Sequence, residues 1–421
     1  MQGKDQTKDS IIYEVCECSK NYRRNKRKKG EDKMLKSKVG YSTEVDSFTS
    51  GKEAAEKAVQ GCDAPKLGML YTSCKYDQIE LMKGAKSIAP NMPIIGCTSS
   101  GAIMVPDGII SAEDGFAGMI TFDDEELKVA VAASEAGEDA REIGRKLALE
   151  AVKKSGTMVR PSYFYMVCSP KEEELYLKGI EDVIGRVPFF GGSAADNTVS
   201  GEWQIFCEDK VFADGCAIAF FYTDKRIATE FTGAYNETEK RGIITKVVGN
   251  RVLSEIDGVP ALEKYAEWKG METSELQGAD LLAASVLNPL GVKDPLGDLT
   301  VIRHPMAGNE DNTINVGNNL KEGTAVCYME TTVDGLIDST RNAMKTVKES
   351  LDEKPSTYFL VHCGGRKLGI GDRVSEVYEI IKEEAGDTPF MMIFTFGEYG
   401  YHEHSANSCG GLMLSFTAFG E

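Results

Sequence analysis

Apolar and polar stretches follow one another along this chain in an order that returns three times. The first copy, LGMLYTSCKYDQIELMKGAKSIAPNMPIIGCTSSG, runs from Leu67 to Gly101. The second, YFYMVCSPKEEELYLKGIEDVIGRVPFFGGSAADN, runs from Tyr163 to Asn197, and the third, TYFLVHCGGRKLGIGDRVSEVYEIIKEEAGDTPFMMIFTFGEYG, from Thr357 to Gly400. In each copy a strand-length apolar run ends at a cysteine (Cys74, Cys168 or Cys363), and a helix-like stretch follows. Pro93, Pro188 or Pro389 then opens a second apolar run, after which glycines release the chain into a polar loop. A third apolar run closes each copy, at Gly115 to Phe122, Gly215 to Tyr222 and Gly411 to Phe416. The cysteine-to-proline spacings are 19, 20 and 26 residues and the proline-to-glycine spacings 22, 27 and 22, so the copies read as one structural unit. A unit of this kind cannot bury both its faces alone, so the copies are expected to share a core. The predicted fold is α/β, with mixed sheets built from three related β-loop-α-β-loop-β units. It is expected to form two lobes, the first holding two copies and the second holding one.

Between the copies the pattern predicts further elements. Ser50-Gly51-Lys52-Glu53 reads as a capping box with Ser50 at the N-cap of a helix ending near Gly61. A second helix is expected from Glu138 to Lys154, with Ala140, Ile143, Leu147 and Ala151 on one stripe and Gly156 as terminator. From Ile243 the texture changes to a hairpin, turned by Asp257-Gly258, that feeds a helix carrying Leu262, Tyr265 and Ala266. The expected divisions are therefore a tail at 1–38, a first domain at 39–242 and a second at 243–421. Asn288 to Gly297 reads as loop, and LTVIRH and TAVCYMET as strands.

Composition narrows the function classes. The chain of 421 residues suits two or three domains, and its apolar runs fall far short of the roughly 18 residues a membrane span requires. Eleven cysteines with no CxxC pair fit free thiols in a reducing compartment, so a cytoplasmic location is expected, and no secretory leader is evident. The formal net charge of -18 is split between +6 over residues 1–38 and -24 over the rest. So acidic a body disfavours nucleic acid as a partner. The basic stretch RRNKRKK from Arg23 to Lys29 fits a disordered tail, and Met34 offers an alternative start.

The series DGVPALEKY, NPLGV, VIRHP, HCGGRKL, FGEYG and HEHSANS resembles the FIST domain family in order and spacing, and PIIGCTSSGAI and GGSAADN resemble its N-terminal region. The resemblance covers Met34 to Glu421. It departs mildly at Asn407-Ser408, where the family shows Asn-Thr. It implies a sensory module that binds a small ligand, with amino acids or their relatives as proposed ligands, and some members look like haem-based gas sensors. Because no residues remain for an output domain, the resemblance implies a stand-alone sensor that signals through a separate partner protein.

Three loops rich in small polar residues are expected to converge on a pocket, since such residues let a ligand approach backbone N-H groups. The first contributes Cys97, Thr98 and Ser99, the second Ser193, Asp196 and Asn197, and the third runs from Gly397 to Ser408. Arg303 and Arg366 are the candidate cations for a carboxylate, Glu398 and Asp196 the candidate partners for an ammonium, and Asn407 suits either. Reversible binding without chemistry is therefore expected, with no catalytic and no metal-ligating residues. Two other readings remain open. Cys97 or Cys363 would serve a cysteine-dependent hydrolase or transferase, although His362, next to Cys363 on a strand, points to the opposite face. His304, His402 or His404 would serve as axial ligand in a haem-based nitric oxide sensor. No glycine pattern makes a phosphate loop.

Overall fold

Two helices crossing at glycines set the spacing of the first unit. The computed structural model describes residues 35–294 and 297–421, so residues 1–34 of the expected tail lie outside the described residues. The first unit comprises β1 (Lys36–Ser42), α1 (Ser47–Val59), β2 (Pro65–Thr72), α2 (Gln78–Ile88), β3 (Ile94–Thr98), a hairpin of β4 (Ile103–Val105) and β5 (Gly108–Ile110), and β6 (Ala117–Asp123). Lys36 to Lys38, assigned to the tail from sequence, are the first rungs of β1 against β6. α1 begins a turn before the expected cap. Asp46 takes the N-cap by accepting from Thr49 N-H, while Ser50 is buried against the Tyr76 hydroxyl. A Cβ on Gly84 of α2 would stand 2.0 Å from the Phe48 carbonyl oxygen of α1, so glycine lets the two backbones touch.

The second unit repeats the plan with β7 (Lys128–Glu135), α3 (Ala140–Ser155), β8 (Tyr163–Cys168), α4 (Glu173–Ile184), β9 (Phe189–Ser193), the hairpin β10 (Ile205–Cys207) and β11 (Lys210–Phe212), and β12 (Gly215–Tyr222). The glycine crossing recurs, since a Cβ on Gly179 of α4 would meet the Arg141 carbonyl oxygen of α3 at 2.0 Å. β13 (Ile227–Thr232) opens the third unit, which an insertion then interrupts. The insertion holds β14 (Asn236–Val248), β15 (Val252–Ile256), β16 (Val259–Pro260), α5 (Ala261–Lys269), α6 (Asp280–Ser285), β17 (Leu290–Lys293), β18 (Thr300–Arg303), β19 (Pro305–Gly308), β20 (Ile314–Val316) and β21 (Ala325–Glu330). The third unit resumes with α7 (Val333–Leu351), β22 (Pro355–Cys363), α8 (Gly364–Ile370), α9 (Val374–Ala385), β23 (Phe390–Thr395), the hairpin β24 (Glu398–Gly400) and β25 (Ser408–Gly410), and β26 (Leu414–Gly420).

Each unit builds the same sheet core from its sequence repeat: the repeat's first strand (β2, β8 or β22) runs parallel to its second (β3, β9 or β23) and antiparallel to its third (β6, β12 or β26). Each then takes its last two strands from another unit. The hairpin β4–β5 joins β23, β10–β11 joins β3, and β24–β25 joins β9. The exchange is closed, with every unit giving one hairpin and receiving one. Three backbone bonds repeat the closure where the second strands end. Ser100 N-H donates to Phe394 O at 2.9 Å, Ala195 N-H to Thr98 O at 3.0 Å, and Phe396 N-H to Ser193 O at 3.3 Å. One buried cluster spans all three sheets, including Tyr71, Tyr165, Phe190, Phe359 and Phe419, with the Tyr71 and Tyr165 hydroxyls 2.8 Å apart.

The two lobes are therefore a ring of all three units and an inserted lobe of residues 236–330. The inserted lobe has its own sheet, in the order β18-β17-β21-β14-β15-β20-β19, and its own core around Leu262, Tyr265, Leu281 and Tyr328. The third copy joins the first two because its neighbours in the ring complete its sheet. The division expected between residues 242 and 243 falls inside β14, whose two halves pair with β21 and β15. Likewise Asn288 to Gly297, expected to be loop, contains β17, which lies between β18 and β21.

Candidate functional site

Exchange of the hairpins brings the three polar loops to one end of the ring, where the inserted lobe covers them. A cavity of about 520 Å³ lies at this seam, within the range typical of small-molecule sites. The ring contributes Ser100, Asn197, Trp203, Cys363, Lys367 and Phe396 to its wall; the inserted lobe contributes Arg251, Leu282, His304 and Met306. Among the described residues, no Asp or Glu side chain lines it.

The cavity carries one cation without an acidic partner. Lys367 Nζ donates to Ser100 O at 2.8 Å and lies 4.7 Å from the Phe394 ring centroid, and no carboxylate reaches it among the described residues. Burial lowers its ammonium from the ordinary lysine value. Arg251 is fully engaged. It donates to Asn319 Oδ1 at 3.0 Å, to Gly317 O at 2.6 Å and to the carboxylates of Glu173 and Glu174 in α4. His304 Nε2 lies 3.1 Å from Leu282 O, and a carbonyl can only accept, so this nitrogen carries the proton. Burial drives the imidazolium of His304 down to about 4, and the ring is neutral at pH 7. The indole N-H of Trp203 is buried with no acceptor among the described residues.

Of the ten residues singled out from sequence, Asn197 lines this cavity. The other nine are not part of its wall. Cys97 is buried in the shared core, with its thiol pushed far up by burial. Thr98 Oγ1 accepts from Gln204 N-H at 3.0 Å, and Ser99 Oγ bonds Ala102 O at 2.8 Å and Phe394 N-H at 3.0 Å, so both hydroxyls hold neighbouring backbone. Ser193 Oγ lies 2.7 Å from the Tyr399 hydroxyl. Asp196 gathers the backbone N-H groups of Thr198, Val199, Ser200, Gly201 and Glu202, and so shapes the loop that carries Trp203. Arg303 donates to Cys409 O at 3.1 Å. Arg366, fully buried, donates to Gly233 O, Leu336 O and the Ser339 hydroxyl. Asn407 donates to Val187 O at 2.9 Å. Glu398 accepts from Met413 N-H at 2.9 Å and from Thr395 Oγ1 at 2.8 Å, and burial pushes its carboxyl up to about 8.

Cys363, the cavity's one cysteine among the described residues, has its thiol pushed far above the ordinary range by burial. It is therefore a thiol at neutral pH. His362 turns away from it, with Nδ1 donating to Cys363 O and its ring edge-on to Phe394. No group of three or more His, Cys, Asp or Glu is placed to hold a metal ion among the described residues. The residues do not fit a haem either. His304, the cavity's imidazole, has Nε2 engaged, and His402 and His404 lie outside the cavity wall. No helix among the described residues is long and apolar enough to cross a membrane.

A two-lobed α/β protein with a small-molecule cavity at its seam is what the fold and geometry define. The FIST N domain model matches residues 66–259 and the FIST C domain model residues 261–401, and the chain belongs to the FIST family. FIST domains are small-ligand sensory domains in signal transduction. No curated protein matches the chain. Among solved structures, cyanuric acid hydrolase from A. caulinodans aligns over 92% of this chain and 100% of its own at 10% identity, with a TM-score of 0.31. PurLQS from Thermotoga maritima aligns over 100% and 80% at 8% identity, with a TM-score of 0.23. Neither likeness is close enough to carry an argument.

Proposed function

We propose that this protein binds a small metabolite reversibly in the seam cavity and passes the binding event to a separate output protein through the setting of the inserted lobe against the ring. The observation that carries this reading is the two-sided wall. Lys367, Trp203 and Phe396 come from the ring, and Leu282, His304 and Met306 from the inserted lobe, so a ligand touching both sides favours one setting of the lobes. A buried thiol held protonated at Cys363, with the neighbouring His362 turned to the Cys363 carbonyl rather than to the thiol, supports binding over covalent catalysis. An amino acid would fit the size of the cavity, yet the carboxylates expected to hold its ammonium, Glu398 and Asp196, are engaged elsewhere. Equilibrium dialysis of the protein against a defined mixture of metabolites, read by mass spectrometry, tests the reading. Enrichment of a small molecule that is lost in Leu282→Trp, which fills the cavity from α6, supports it; undiminished enrichment in that variant contradicts it.

A further inference from the structure

The chemistry of the wall restricts what the cavity accepts. Its donors outnumber its anions. The ammonium of Lys367 has three N-H groups, of which one bonds Ser100 O and no acid takes another. Trp203 adds an indole N-H that is buried without an acceptor among the described residues. The cation Arg251 is already balanced by Glu173 and Glu174, so it adds no free charge. Arg366, which is not part of the wall, donates to carbonyl oxygens and forms no ion pair with a carboxylate among the described residues. A lone desolvated cation is unfavourable, and an anion brought to it recovers a charge-assisted bond in a low-dielectric setting.

Much of the remaining wall is apolar. Leu282 and Met306 of the inserted lobe face the cavity with Phe396 and Leu368 of the ring, and Leu368 is 55% exposed. An exposed leucine at a cavity mouth gains from contact with an apolar ligand. No group on the wall would receive a ligand ammonium as a counter-charge, because no Asp or Glu lines it among the described residues and His304 is neutral. A zwitterion would leave its ammonium desolvated and unpaired, at a cost that a simple carboxylate avoids.

We propose that the cavity is selective for a small carboxylic acid with an apolar body and no amino group, its carboxylate bound by Lys367 and the Trp203 N-H and its body against Leu282, Met306 and Phe396. This rests on the seam cavity being the ligand site, and it adds the class of ligand. Discrimination against the matching amide and the matching α-amino acid follows from the same wall.

Calorimetric titration of the full chain with phenylacetate, 4-methylpentanoate, phenylacetamide and phenylalanine tests the proposal. One or both acids are expected to bind at least about tenfold more tightly than phenylacetamide and phenylalanine, as one charge-assisted hydrogen bond warrants. Lys367→Met is expected to lower acid affinity roughly tenfold or more while leaving amide binding unchanged, Lys367→Arg to retain the preference for acids, and Trp203→Phe to weaken acid binding more than amide binding. Unchanged melting temperatures check that the variants fold. Binding of phenylalanine or the amide as tightly as the acid, or an acid affinity indifferent to Lys367→Met, overturns the ligand class while leaving the cavity as the site. Absence of binding by both acids also overturns it. If Leu282→Trp leaves the binding of every probe unchanged, the failure lies with the cavity itself.

Discussion

Arg251, in the turn between β14 and β15 of the inserted lobe, donates to the carboxylate of Glu173 at the start of α4 in the ring. Glu173 is 1% exposed, so the pair fastens the lobes at the edge of the cavity with little solvent around it. Removing the guanidinium would leave a buried carboxylate unpaired, at a cost of about 3 kcal/mol. Arg251→Ala is expected to lower the melting temperature and to speed amide exchange in the inserted lobe relative to the ring. In a Glu173→Gln background the same substitution should cost less, because a neutral amide needs no counter-ion. Equal costs in both backgrounds would show that the pair does not fasten the lobes.

Glu398 makes stability depend on pH in a defined direction. Its carboxyl titrates near 8 in the folded protein because burial disfavours the ionised form, against an ordinary value of 4.5. The folded state therefore holds a proton that the unfolded chain releases. This contribution is full below pH 4.5 and is lost as pH rises through about 8. Glu398→Gln, which keeps the shape without the titration, is expected to flatten the stability curve between pH 5 and 8 in urea unfolding monitored by circular dichroism. An unchanged slope would count against a neutral Glu398.

The glycine crossings predict an inversion of ordinary helix propensity. Alanine at a helix interior is worth about 1 kcal/mol more than glycine, but a Cβ on Gly179 would overlap the Arg141 carbonyl at 2.0 Å. Gly179→Ala and Gly84→Ala should each destabilise by about 1–3 kcal/mol by forcing their helices apart. Denaturant midpoints check this, and a stabilised variant would show that the helices do not touch at these glycines.

Much of the ring was legible because apolar strands punctuated by proline and glycine recur at matching spacings, and strand-length burial dominates the energy of such elements. The hairpin exchange was not legible. β4, β5, β10 and β11 have three residues each, too few to show a period, and their partners lie in other units. Sequence also led to the right segments of the site, but in three of them the residue singled out as a ligand contact sits one position from the cavity wall. Arg303 was singled out and His304 faces the cavity; Arg366 was singled out and Lys367 reaches it. In the same way Ser99 sits behind Ser100, whereas both Asp196 and Asn197 were named and only Asn197 lines the wall. Adjacent residues project in different directions, and composition does not fix which of two polar neighbours turns inward. Arg251, Leu282 and Met306 were missed because the insertion separates them in sequence from the loops they cover.

The most direct measurement is hydrogen exchange with and without the metabolite that dialysis enriches. Ligand bound between the lobes should slow exchange on both sides of the seam, in α6 and residues 304–317 of the inserted lobe and in residues 197–203 and α8 of the ring. Protection on one lobe alone, or at a surface away from these segments, would contradict a sensor that works by drawing the two lobes together.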